Sequence, residues 1–148
     1  MREIKFRGWW VYGDEGWVEG HYVFFAEDDF HLIYVNYKGS GYTSGRYVTE
    51  SYRVDPASVG QFTGLKDKNG REIYEGDIVR CKKYIGGNFV EYCYEFGYVE
   101  FVYGAFGLHR RQGFYRPFKD WLEDYEFEVI GNIYQNGDLL DEVKPDES

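Results

Sequence analysis

The chain has 148 residues, enough for one domain or two small ones, and sets 26 acidic side chains against 17 basic ones for a formal net charge of −9. That charge repels nucleic acid and anionic membrane at long range, and no window approaches the roughly 20 apolar residues of a membrane-spanning helix. Aromatic residues make up 22% of the chain and 19 glycines punctuate it, so strands are favoured over helices and an all-β fold is expected.

In chain order, EIKFR (3 to 7) reads as a strand. WVEGHYVFFA (17 to 26) follows after a DEG turn. FHLIYVNY (30 to 37) and RYVTESYRV (46 to 54) flank KGSGYTSG, a Gly/Ser loop of hairpin type. That loop lacks the GxxxxGK[ST] order of a phosphate cradle, and no helix follows it. VDPASVG offers Asp55 as N-cap, Pro56 at the first helical position and Gly60 as a stop, which predicts a single helical or 3₁₀ turn and a subdomain seam. In the second half DIVRCKKY, FVEYCYEFGYVEFVY, AFGLHRRQGFY and EFEVIGNIY supply short strands with glycine corners, which suits a small, bent, SH3-like barrel. RPFKDWLEDY is expected to hold a short helix started by Pro117. The expected organisation is an N-terminal β-hairpin subdomain (1–60), a C-terminal SH3-like barrel (61–136) and an acidic tail (137–148).

Between the halves lies QFTGLKDKNGREIYEGDIV, residues 61 to 79, which has the density of a motif. Asn69-Gly70 predicts a tight type I′ reversal, and Gly76-Asp77 predicts a second that delivers Ile78 and Val79 into a core strand. The catalytic or metal-ligating alternative would use Asp67, Glu72, Glu75 and Asp77. Gly76 interrupts the strand that would align Glu75 with Asp77, no histidine is near, and Lys66, Lys68 and Arg71 solvate the same loop, so the stretch is expected to be a structural corner.

TGLKDKNGREIYEGDIV, preceded by VDPASVGQ, opened by MREIKFRGW and closed by EVIGNIYQN, resembles the YopX family of phage and prophage proteins. The resemblance rests on both ends and the centre, not on residues 12 to 50 or 82 to 125. It implies a largely β protein of two subdomains, encoded in bacterial or phage genomes, with a homo-oligomer among the expected states. It implies no catalytic residues.

The least even charge distribution lies at 105 to 119, where Arg110, Arg111, Arg116 and Lys119 occur without an acid and alternate with Phe106, Phe114, Tyr115 and Phe118. Guanidinium groups hold phosphates and rings stack on unpaired bases, so the basic aromatic segment at 109–119 is the candidate nucleic-acid contact. DWLEDYEFE follows at once, and pairing of the two segments as surface ion pairs is the plainer expectation. Asp120, Glu123 and Asp124 would share one helix face, ordinarily a solvated one. The acids and acidic tail also admit a DNA-mimic inhibitor of a host enzyme. A carbohydrate-binding face would need coplanar exposed rings.

Cys81 and Cys93 lie symmetrically about Gly87, so a hairpin at IGGN brings them near each other. Without an export signal, two reduced thiols used as small apolar residues are expected. His21, His31 and His109 are scattered and do not complete a zinc set, so neither metal nor cofactor is expected. Nor do they form a nucleophile–base arrangement, and catalytic residues are expected to be none. The chain thus reads as a cytoplasmic protein that acts by binding, through an unknown protein partner or a second copy, without catalysis.

Overall fold

The computed structural model describes residues 3–13, 16–85, 88–110, 115–120 and 125–142, with backbone alone at 43, 83–85, 88–95, 110 and 141–142. The fold is all-β, in two compact units, Met1–Phe62 and Thr63–Ser148. The first holds β1 (Phe6–Trp10), β2 (Trp17–Phe25), β3 (Phe30–Lys38) and most of β4 (Tyr47–Lys66). The second holds the end of β4, β5 (Glu72–Tyr74), β6 (Asp77–Ile85), β7 (Asn88–Val102), β8 (Ala105–Arg110), β9 (Tyr115–Pro117) and β10 (Tyr125–Asn132). Two short helices follow, α1 (Ile133–Asn136) and α2 (Leu139–Glu142). No helix of the described residues is long and apolar enough to cross a membrane.

In the first unit every neighbouring pair is antiparallel. β4 is long enough to serve two partners: residues 47–53 pair with β3 and residues 54–61 pair with β1, so hydrogen bonding runs round a ring of four strands. Ile33 and Val54 are buried at its centre, with Arg7 stacked 4.5 Å over the Trp17 ring. Gly20 lies in β2 where a Cβ would collide with the Tyr34 carbonyl oxygen of β3, so glycine is required there for the strands to close up.

The helical turn expected at VDPASVG does not form. The chain stays extended because ladders grip it on both sides, and the register slips between Arg7↔Gly60 and Trp9↔Asp55, leaving Pro56 to Val59 as a bulge opposite Gly8. Pro56 has no N–H to offer a ladder. Local side chains fill in: the Ala57 amide donates to Asp55 Oδ1 (3.0 Å), the Ser58 hydroxyl to the Asp55 carbonyl (2.5 Å), and the Trp9 amide to Ser58 Oγ (2.7 Å). The Asp55 side chain therefore makes a bond of the N-cap type without a helix to cap.

In the second unit the sheet order is β10-β6-β7-β8-β9, all antiparallel. Alternate residues Val79, Cys81, Val99, Leu108, Phe127 and Val129 point to one face and form the core with Ile73 and Phe118. The Phe118 and Phe127 rings meet edge to face at 5.3 Å. The helix expected from Pro117 begins as a 3₁₀ turn at Phe118–Asp120; the remainder of that expectation, at 121–124, lies outside the described residues. The last strand stops two residues earlier than its pattern suggests, because the Asn132 side chain accepts the Gln135 amide (2.8 Å) and caps α1.

β6 and β7 pair antiparallel down to Ile85 opposite Asn88, as the hairpin expected at IGGN requires. A register shift then places Glu95, not Cys93, across from Cys81. Cys81 packs in the core as a small apolar residue; the Cys93 side chain lies outside the described residues.

Candidate functional site

The motif-dense stretch between the halves is a corner held by its own carboxylates. Asp67 is buried, and its Oδ1 accepts the amides of Asn69 (2.8 Å) and Arg71 (2.9 Å) while its Oδ2 accepts the amide of Val129 on β10 (3.0 Å). Burial alone would raise its pKa; the amides of Val129, Arg71 and Asn69, with the Arg71 charge, outweigh that and hold it below the usual aspartate value. The turn is not the expected type I′. Gly70 donates to the Asp67 carbonyl (3.0 Å), Asp67 donates to Arg71 (2.8 Å), and only Gly70 is left-handed (φ 80°), which is a type I turn closed by a glycine bulge. Asp77 is fully buried and accepts the Tyr74 amide (2.7 Å). Glu72 and Glu75 are half-buried on either side of Ile73 and Tyr74. Among the described residues no three His, Cys, Asp or Glu side chains stand where they could share a metal ion.

The basic segment is divided by the fold. Arg110 ends β8 opposite Gly97, with its side chain outside the described residues, as is all of Arg111. Arg116 lies half-buried on β9, where its Nη2 donates to the Asp120 carbonyl (3.1 Å) and its guanidinium stands 5.9 Å from the Tyr125 ring. Lys119 is exposed. The interleaved rings do structural work: Phe118 is core, Phe106 packs against it, and the Tyr115 hydroxyl donates to the Ala105 carbonyl (2.6 Å). Phe114 lies outside the described residues.

The first unit carries a denser constellation than sequence reasoning found. Along one face of β2 and β3, Phe24 sits opposite His31 and Tyr22 opposite Ile33. The His31 imidazole is stacked 4.4 Å from Phe24 and 5.9 Å from Tyr22. An ionised carboxylate only accepts, so His31 Nε2–H donates to Asp29 Oδ1 (2.8 Å), and Nδ1 is hydrogen-bonded with the Tyr22 hydroxyl (2.5 Å). Burial, and then the Asp29 charge, push the Tyr22 phenol up. Asp29 itself takes a left-handed backbone (φ 49°) at the end of the hairpin. Phe24 and Phe25, adjacent and therefore on opposite faces, are 49% and 47% exposed there.

Farther along the same face Glu50 on β4 accepts two phenols, Tyr37 on Oε1 (2.8 Å) and Tyr52 on Oε2 (2.7 Å). Tyr52, then Tyr37, hold this carboxyl below the usual glutamate range against a smaller opposing effect of burial. Tyr52 is braced edge-on by Trp10, 5.5 Å away. Tyr42 and Tyr47 stand exposed on and beside the 3–4 hairpin loop. The sequence signal for this cluster is the two-residue spacing of Glu50 and Tyr52; bringing Tyr37 to them needs the register across a loop whose length does not fix it.

A family model described as YopX protein matches residues 5–141. Among solved structures, the crystal structure of protein EF1440 from Enterococcus faecalis is similar at 26% sequence identity, over 95% of this chain and 99% of that one, with a TM-score of 0.50. No curated protein matches the chain.

Proposed function

The chain belongs to the YopX family, and on that footing we propose that it is a phage or prophage accessory protein that binds another protein, or a second copy of itself, in the bacterial cytoplasm without catalysis. The observation that carries this is the concentration of exposed rings on the first unit: Phe24 and Phe25 at one hairpin end, Tyr42 and Tyr47 at the other hairpin. Rings left in water at strand ends favour association, because covering them removes apolar surface from solvent at little conformational cost. The non-catalytic part draws on the corner, whose most buried carboxylates are engaged by backbone amides.

We read the second unit as a small SH3-like barrel. In its five-stranded sheet β10 lies beside β6, the order from β6 to β9 is sequential, and a 3₁₀ turn falls between β9 and β10, which supports that reading. Nucleic-acid contact through Arg110, Arg111, Arg116 and Lys119 ranks second, supported by the alternation of cations and rings and by the exposure of Lys119.

Sedimentation of the fluorescently labelled chain tests the leading proposal, over a concentration series in buffer and in cleared bacterial lysate. Faster sedimentation than a monomer in either medium, reversed by Phe24→Ser with Phe25→Ser, is expected. Monomeric sedimentation in both media overturns it, and a shift reversed by nuclease rather than by the substitutions favours the second reading.

A further inference from the structure

Glu50 is an exposed carboxylate that is fixed in place without a cation. Among the described residues it makes no ion pair; its two oxygens are held instead by the Tyr37 and Tyr52 hydroxyls. An ordinary surface glutamate samples many rotamers and loses them on binding, whereas this one is already ordered, so a partner meets it at lower entropic cost. Each oxygen accepts one phenol and keeps acceptor capacity toward solvent. The Tyr37 ring beside it is 43% exposed. An oriented anion with ring surface at its side matches a planar cation that hydrogen-bonds in pairs and stacks on π faces, which describes a guanidinium better than an ammonium. The net charge of −9 adds long-range attraction for a basic partner.

We propose that the Tyr37–Glu50–Tyr52 clamp is the seat for an arginine side chain of the protein partner. This rests on the protein-binding function proposed above and names the chemistry that the partner presents. The carboxylate pairs side by side with the guanidinium N–H groups, and the phenols keep it aimed.

The probe is N-acetyl-arginine amide, titrated at low salt into the isotopically labelled chain and followed by amide and tyrosine NMR shifts, with N-acetyl-lysine amide as comparison. Saturable shifts centred on Tyr37, Glu50 and Tyr52 are expected for arginine, severalfold weaker binding for lysine, and loss of about tenfold or more in affinity for Glu50→Gln. The Tyr37→Phe with Tyr52→Phe variant keeps the charge and should weaken binding severalfold, which a purely electrostatic attraction would not show. No saturable shift, equal binding to Glu50→Gln, or equal affinity for the lysine probe overturns the inference. All three substitutions lie on the hairpin of β3 and β4, and an unchanged amide spectrum elsewhere verifies the fold. Arginine-probe binding together with monomeric sedimentation in lysate removes the protein partner but leaves the seat; the opposite pattern removes the seat and leaves the partner.

Discussion

Two carboxylates illustrate how differently this chain uses the same group. Asp67 is buried and takes three backbone amides, so its charge is part of the fold. Replacing it by Asn turns one acceptor into a donor and leaves a buried amide unmatched, a loss on the order of 2 kcal/mol in chemical unfolding. Its pKa is lowered by folding, so its contribution is fully present above the unfolded value of about 3.9 and disappears as pH falls through the lower folded value. Wild type should therefore lose stability in that acid window, and Asp67→Asn should lose less of it; identical acid profiles for the two proteins contradict the assignment. Glu50 is held by phenols at the surface, with Tyr52 the stronger influence. Carboxyl-carbon NMR titration should show its pKa rising in both Tyr52→Phe and Tyr37→Phe, and more in the first. The corner was legible from residues 61 to 79 because glycine and aspartate there have few other uses. The Glu50 clamp was not, because its members lie on two strands joined by a loop.

At the scale of elements, turns decide what the strands can do. The 7–8 hairpin reverses through Tyr103 and Gly104, both left-handed (φ 54° and 78°), the geometry of a type I′ turn. A bulky residue is strained there, and Tyr103 is 96% exposed, so its ring gains nothing from packing in return. Tyr103→Asn should therefore stabilise the protein by about 0.5–1 kcal/mol and raise its melting temperature; a lower one would show that the ring has a contact of its own. Gly20 works the other way: Gly20→Ala drives a methyl into the backbone of β3 and should cost about 1–3 kcal/mol in denaturant titration. Strand positions were readable from alternation and turn residues. Two local readings failed where tertiary ladders overrode a short motif. DPAS became a bulge because β4 is held by β3 before it and β1 after it, and Asn69-Gly70 became a glycine-bulge turn because the Asp67 side chain captured the amides of Asn69 and Arg71.

At the scale of the whole molecule, the all-β class followed from composition, and two units and the YopX membership from strings at both ends and the centre of the chain; these hold. What alternation leaves open is which rings face water, since a Phe on a strand looks the same in sequence whether it is core, like Phe127, or exposed, like Phe25. The proposed binding function rests on where those rings stand, so its test is best made there. Photo-cross-linking in the bacterial cytosol, with p-benzoylphenylalanine at position 25 and, as control, at exposed position 71 in the corner, tests this most directly. Protein adducts from position 25 in clear excess over position 71 are expected; equal yields from the two positions, or none from position 25, would rule out association through these rings.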